Sequence, residues 1–173
     1  MKEGHSDWNS LVLDTSVWIN LLATEEATEI VATLGCECLV PDAVKSEVLR
    51  NPVTGVAYPL LRHPLTFSPS MVRAEMTEAE LSTFLELVGT EGSFRLGDGE
   101  AAAIAVAVHR RVVIAIDERK ARNVLRTYYP KVQTIYSIDL LRHQRVLEVM
   151  GEDKVEGLVA KAKQFGRMHV PIR

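Results

Sequence analysis

The stretch Leu11-Val12-Leu13-Asp14-Thr15-Ser16 decides the fold. Three branched apolar residues lead directly into an acid, and a helical pattern follows. A short apolar run ahead of a helix is typical of a buried strand in a parallel sheet. Asp14 would then lie at the carboxyl end of that strand, where open α/β sheets bind their ligands. Because an isolated buried carboxylate is costly, the stretch predicts that other groups compensate the charge of Asp14.

A second apolar run, Val112–Ile116, repeats this design and ends in Asp117. In a parallel sheet with right-handed crossovers, the carboxyl ends of the strands share one edge, so we expect Asp117 near Asp14. Glu100 opens an alanine-rich helix, and Glu47 lies late in the helix after another predicted strand. If these ends converge, four carboxylates gather around one spot. Hard oxygen ligands at such density suit Mg²⁺ or Mn²⁺.

Strand and helix patterns alternate along the whole chain. This alternation predicts an α/β protein with three α/β/α layers, in which helices flank a central parallel sheet. We expect a single domain over residues 1–173, with a core over about 10–150 and a C-terminal helix, 152–166, packed on it. Three finer expectations are one helix that ends at Gly35, a strand near Leu65–Phe67 and a helix over 138–149.

The composition is that of an ordinary globular protein, with 47% hydrophobic and 25% charged residues among 173. No apolar run reaches the roughly 18 residues that cross a bilayer, so we expect no membrane association. Residues 1–9 are polar and lack the apolar centre of a signal peptide, which predicts a cytoplasmic protein. Cys36 and Cys38 are the only cysteines and are too close together for a structural disulfide to be expected, which fits a reducing compartment.

Charge is unevenly distributed along the chain. Residues 1–108 hold 6 lysines and arginines against 16 acids, whereas residues 109–145 hold 9 against 3. A basic segment beside an acid-rich one is typical of proteins that bind both phosphates and cations. Solvated helix faces with a chance imbalance explain the same numbers equally well. The residues of this segment that could contact phosphates are Arg119, Lys120 and Arg122.

Several other kinds of site are not supported. The run Gly97–Glu100 lacks the Lys-Ser/Thr pair of a phosphate-binding P-loop. Cys36 and Cys38 have no second pair of ligands with the spacing of a zinc site. Asp14 is not followed two residues later by the second Asp of a haloacid-dehalogenase-type phosphatase, because that position is Ser16.

Four stretches in this order resemble the PIN-domain nucleases, of the VapC-like ribonuclease superfamily: LVLDTSVWINLL (11–22), VPDAVKSEV (40–48), LGDGEAAAIAVA (96–107) and VVIAIDERKAR (112–122). The resemblance covers roughly residues 10–145. It implies a PIN-like parallel sheet flanked by helices, an acidic metal centre and cleavage of RNA.

The family's acidic positions carry over onto this sequence by motif. Asp14, Glu47 and Asp117 match the first, second and fourth family acids. Glu100 matches the third, which is more often Asp, and Asp98 could share or replace its role. Each acid also has a structural interpretation, since the two strand-end acids could cap helices, Glu47 could be a solvated helix residue, and Glu100 could complement a helix dipole.

The resemblance implies a metal-dependent endoribonuclease with Mg²⁺ or Mn²⁺ as cofactor, which leaves a 5′-phosphate and a 3′-hydroxyl. Many small family members are toxins of type II toxin–antitoxin pairs, so an antitoxin and a homodimer are the expected protein partners beside the RNA substrate. The alternative is a catalytically weak PIN-like domain that binds nucleic acid or protein. Thr15 or Ser16 is expected to cap the first helix, with the Ser16 hydroxyl also available to a phosphate or water, and Asn20 is expected on the helix surface.

Overall fold

The computed structural model describes residues 8–66 and 69–171. Within them lies one five-stranded sheet in which every pairing is parallel, with the strand order β3-β2-β1-β4-β5. The apolar runs around Leu11 and Ile114 form β1 and β4 inside the sheet, and both strands are buried except at their first residues. The predicted three-layer α/β/α fold with a central parallel sheet is confirmed. The strands are β1 Ser10–Leu13, β2 Glu37–Pro41, β3 Met71–Ala74, β4 Val113–Ala115 and β5 Thr134–Ile135.

The helices alternate with the strands along the chain. The alanine-rich helix packs against β1, β2 and β4, and its residues 101–107 are fully buried because their small side chains allow close approach to the sheet. No helix of the described part of the chain is long and apolar enough to cross a membrane. The helices are α1 Thr15–Ala23, α2 Ala27–Leu34, α3 Asp42–Glu47, α4 Glu78–Gly89, α5 Asp98–Arg110, α6 Arg119–Tyr128, α7 Ser137–Leu141, α8 Gln144–Met150 and α9 Glu152–Phe165.

Two of the predicted helices are each divided in two. The single helix expected up to Gly35 breaks after α1, where Thr24 bonds back to the Leu21 carbonyl and Glu25 has a φ of 65°. The helix expected over 138–149 breaks at His143, whose side chain accepts a hydrogen bond from the backbone of the first turn of α8. Both predictions were wrong because local side-chain to backbone bonds compete with helix continuation.

The prediction of a strand near Leu65–Phe67 is also wrong. Pro64–Thr66 form a short 3₁₀ turn, and Phe67 lies outside the described residues. The strand is β3, at the edge of the sheet, where Val72 and Arg73 are exposed. An edge strand with exposed side chains lacks the continuous apolar run that marks the central strands.

The central strands bring the two strand-end acids to one edge of the sheet. Leu13 of β1 is in register with Ala115 of β4, and the Asp14 N–H donates to the Ala115 carbonyl at 3.1 Å. Asp117 follows β4 two residues later. On the other side of α1, the final helix α9 packs through the buried side chains of Val155, Leu158, Val159 and Ala162.

Candidate functional site

Asp14 is the most buried acid of the site, with 1% of its side chain exposed. It is the N-cap of α1, which neither Thr15 nor Ser16 is, and its Oδ1 accepts from the Val17 N–H at 2.9 Å. The Ser16 hydroxyl donates to Oδ1 at 2.9 Å and lies 3.0 Å from Oδ2. Burial raises the pKa of Asp14 to about 7. The negative charges of Asp117 and Glu100 also raise this pKa, whereas the hydrogen bonds from Val17 and Ser16 lower it.

Asp117 is held by a polar network behind the sheet edge. Its Oδ1 accepts from the Ser137 N–H at 2.8 Å, and its Oδ2 accepts from the Ser137 hydroxyl at 2.5 Å and from Asn20 Nδ2 at 2.8 Å. Burial raises the pKa of Asp117, and the bonds from Ser137 and Asn20 oppose the shift. Asn20 is 2% exposed, so the expectation of a surface position is wrong. It lies on the inner face of α1 beside the buried Val17 and Leu21.

Glu100 and Glu47 complete the group at the N-terminal end of α5. Glu100 Oε2 accepts from the Gly97 N–H at 3.1 Å. Burial raises the pKa of Glu100, and the charges of Glu118 and Glu47 raise it further, whereas the bond from Gly97 and the Lys120 ammonium lower it. Glu47 ends α3 and reaches across to α5, where its Oε1 accepts from the Gly99 N–H at 2.9 Å.

The four acids are thus linked electrostatically into one negative region. Asp117 and Glu100 act on Asp14, and Glu47 acts on Glu100. In residues 8–66 and 69–171, no three His, Cys, Asp or Glu side chains are gathered as a group that could hold a metal ion. Each of the four carboxylates instead accepts at least one hydrogen bond from a donor of the protein itself. The donor set nevertheless fits a hard divalent cation, since it consists of carboxylates, and the charge of the buried Asp14 needs a positive partner.

Asp98, the alternative third acid, occupies a different environment. It is the first residue of α5, it is exposed, and its charge is not among those that act on the pKa of Asp14. Glu100 is half-buried and does act on Asp14. Burial and electrostatic interaction therefore connect Glu100, rather than Asp98, with Asp14.

The three basic residues expected to meet RNA are placed differently from one another. Arg119 is exposed, and Lys120 lies near enough to Glu100 to lower its pKa. Arg122 instead holds the sheet edge, donating to the carbonyls of Ile116 at 2.8 Å and Ile135 at 3.0 Å. Its guanidinium also lies 3.5 Å from the centre of the Tyr136 ring. These contacts give Arg122 a structural role.

A basic cleft of about 600 Å³ lies between α6 and β5, and none of the four acids lines it. Arg119 and Arg126 are exposed at its rim, and Tyr129 and Tyr136 offer aromatic surface. Guanidinium groups and aromatic faces are the side chains that bind single-stranded nucleic acid, through phosphates and stacked bases. The cleft is therefore suited to a nucleic-acid chain that approaches the acids.

Four residues at the site carry contacts that the sequence interpretation did not assign: Thr15, Asn20, Gly99 and Ser137. Asn20 could have been found, because the helical period places it on the same face as the apolar residues 17 and 21. Ser137 and Gly99 give no such signal, since their contacts join segments 20 and 52 residues apart.

Comparison with known families adds one finding. A family model described as PIN domain matches residues 10–165, from the start of β1 to the end of α9. No curated protein and no solved structure matches the chain. The matched range contains all four acids of the site.

Proposed function

The chain belongs to the PIN-domain family, whose members are generally nucleases that use divalent metal ions, and on this premise we propose that it is a metal-dependent endoribonuclease. The observation that carries the proposal is the buried acidic group at the carboxyl ends of β1 and β4. Asp14 has a pKa of about 7 there, because it is buried and lies near Asp117 and Glu100. Acids in such a position are typical of functional sites and are costly for folding alone.

Asp14, Glu47, Glu100 and Asp117 would hold the Mg²⁺ or Mn²⁺ ion. A divalent ion bound there supplies positive charge that offsets these carboxylates and the negative charge of a phosphodiester under attack. Asn20 and Ser137 orient the carboxylate of Asp117 through three hydrogen bonds. Asp14 is oriented in the same way by Ser16 and the α1 backbone.

The RNA chain would be held by the basic side of the site. Lys120 lies near Glu100, and Arg119 and Arg126 carry positive charge along the cleft. We expect Arg119→Ala with Arg126→Ala to raise KM for RNA, with little change in kcat, and to flatten its salt dependence. Arg73→Ala, an exposed arginine on the opposite edge strand, is the matched control. An equal rise in KM for the Arg73→Ala control would show that the cleft does not bind the RNA.

Cleavage of a labelled single-stranded RNA with Mn²⁺, with and without EDTA, tests the activity itself. The cleavage rate of Asp14→Asn should be at least about 100-fold lower than that of the wild type. Asp153 is an exposed acid on α9, and Asp153→Asn should keep the wild-type rate. Glu100→Gln should resemble the Asp14 variant, and Asp98→Asn should resemble the control. Cleavage that persists in the folded Asp14→Asn protein would overturn the proposal.

A second candidate function is RNA binding without appreciable catalysis. It is favoured by the donors that each carboxylate already has within the protein and by the absence of a gathered metal group in the described residues. RNA binding in EDTA that equals binding in Mn²⁺, with no cleavage, would support this candidate over the first.

The finer family expectations are part of the same proposal. A toxin of a type II pair should arrest growth when expressed, and Asp14→Asn should not, whereas co-expression of its antitoxin should restore growth. A homodimer should have twice the chain mass of 19.2 kDa by light scattering. Cell fractionation tests the cytoplasmic location.

A further inference from the structure

The Glu47 carboxylate is held from two sides. Its Oε2 accepts a hydrogen bond from the Thr15 hydroxyl at 2.5 Å, and its Oε1 accepts one from the Gly99 N–H at 2.9 Å. The two donors lie 32 and 52 positions away in the sequence, in the first turns of α1 and α5. Glu47 is therefore located by the same two helix ends that carry Asp14 and Glu100.

Room for this carboxylate exists only because position 99 is a glycine. A Cβ built on Gly99 would fall well inside van der Waals contact of Glu47 Oε2 and Thr15 Oγ1. Gly99 does not have a positive φ, so the backbone itself would accept alanine. Gly97 differs, because a Cβ there would lie 3.8 Å from Glu100 Oε2, an ordinary contact. The missing side chain matters at position 99 and not at position 97.

The N-terminal end of α5 also depends on Glu47. Its N-cap residue is Gly97, which has no side chain to accept a hydrogen bond from the first turn. Glu47 supplies the acceptor for the Gly99 N–H that Ser, Thr, Asp or Asn at the N-cap would otherwise supply. Its negative charge lies at the positive end of the helix dipole. Glu47 and Glu100 are thus both fixed at this helix end.

We propose that Thr15 and Gly99 are positioning residues for the metal centre, forming a cradle that fixes the Glu47 carboxylate beside Glu100. The inference rests on the proposed function, because it makes the cradle a determinant of divalent-ion binding. Glu47 is otherwise exposed. Without the cradle its side chain would have to be ordered by the ion itself, which costs conformational entropy and lowers affinity.

Gly99→Ala and Gly97→Ala form a matched pair for testing the cradle in the full chain. Of the two atoms that an alanine at 99 would strike, Glu47 Oε2 is the end of a long flexible side chain, whereas Thr15 Oγ1 belongs to a short β-branched one. We therefore expect the protein to fold while Glu47 moves away. Calorimetric titration with Mn²⁺ should show affinity at least about 10-fold weaker for Gly99→Ala. Gly97→Ala should bind within about 2-fold of the wild type. Unchanged affinity in Gly99→Ala would overturn the proposal.

Thr15 is tested by a similar pair. Thr15→Val keeps the shape but removes the hydroxyl donor, and should weaken Mn²⁺ binding about as much as Gly99→Ala. Thr15→Ser keeps the donor and should restore wild-type affinity. Equal affinities of the two variants would remove Thr15 from the cradle.

A double-mutant cycle separates positioning from a general effect on folding. In a Glu47→Ala background, Gly99→Ala should weaken Mn²⁺ binding much less than in the wild type, because the Glu47 side chain is gone and only the contact with Thr15 remains. A loss of the same size with and without Glu47 would mean that Gly99 acts by another route, and would overturn the proposal.

The same four proteins are also compared without metal, by measuring the midpoint of thermal unfolding of each in EDTA. Gly99→Ala should lower the midpoint less in the Glu47→Ala background, where only the contact with Thr15 Oγ1 remains, than in the wild type, where the two hydrogen bonds of Glu47 are also lost. If the wild type binds no Mn²⁺, the proposed function fails and the metal role of the cradle fails with it. The metal-free cycle then still tests the cradle, and equal shifts in both backgrounds would refute it.

Discussion

Replacing Asp14 with asparagine tests the buried charge while retaining the shape of the site. The side chain is 1% exposed and its Oδ1 accepts from the Val17 N–H and the Ser16 hydroxyl. The amide oxygen of asparagine can accept the same two bonds. The substitution therefore removes the ionisable group and leaves the N-cap of α1 an acceptor.

The size and sign of the effect follow from the pKa of Asp14. Burial raises this pKa from 3.8 to about 7, so the folded protein binds the proton more tightly than the unfolded chain. The contribution of Asp14 to the free energy of unfolding of the metal-free protein must then fall as pH rises from about 4 to above 7. A pKa difference of about 3 corresponds to about 4 kcal/mol. At pH values below 4 the acid is protonated in both states and this loss is absent.

Urea denaturation in EDTA between pH 4 and pH 8 measures this contribution. The stability of Asp14→Asn relative to the wild type should increase across this range by up to about 4 kcal/mol, and the control Asp153→Asn should show no such trend. Added Mn²⁺ should restore stability to the wild type at pH 8 but not to Asp14→Asn. Parallel pH curves for the wild type and Asp14→Asn would refute the reasoning.

Two further substitutions test the ion pair between Arg110 and Glu80 and the hydrogen bond from Asn20 to Asp117. Arg110→Met leaves the buried carboxylate of Glu80 without its ion pair at 2.6 Å and should cost about 3 kcal/mol in urea denaturation, whereas the exposed Arg73→Met should cost less than about 1 kcal/mol. Equal costs would contradict the assigned burial. Asn20→Ala removes a donor to Asp117 and should weaken Mn²⁺ binding at least about 10-fold by calorimetry. Unchanged affinity would show that Asn20 does not orient the acid.

The central strands and their acids were predictable because both follow from burial. A strand with neighbours on both sides and helices on both faces needs a continuous apolar run, and an acid that directly follows such a run stands out. Asp14 and Asp117 were placed at one sheet edge on this argument, and the register of Leu13 with Ala115 agrees with it.

The errors fall where local bonds or the sheet edge outweigh the apolar pattern. The turn at Glu25 leaves the apolar period of α1 and α2 almost uninterrupted, so the sequence shows one helix where there are two. The edge strand β3 is exposed on part of its surface and has no run of its own to mark it. A turn with a positive φ and a strand at the sheet edge both change the sequence pattern less than burial does.

The residues that hold the acids in place could not be predicted from the sequence, for a third reason. Ser137 and Gly99 are ordinary loop and helix-start residues in the sequence, and their contacts with Asp117 and Glu47 exist only once distant segments meet. Asn20 was misplaced because a polar residue in an amphipathic helix is usually solvated. Its hydrogen bond to the half-buried Asp117, 97 positions away, reverses that expectation.

Titration of Mn²⁺ into the metal-free wild type and Asp14→Asn by calorimetry tests the central claim most directly. The claim is that Asp14, Glu47, Glu100 and Asp117 together form a site for a divalent ion. The account predicts saturable binding to the wild type, with proton release near neutral pH because Asp14 has a pKa of about 7, and at least about 10-fold weaker binding to the variant. Binding of the same strength to both proteins, or no binding to the wild type, would contradict it.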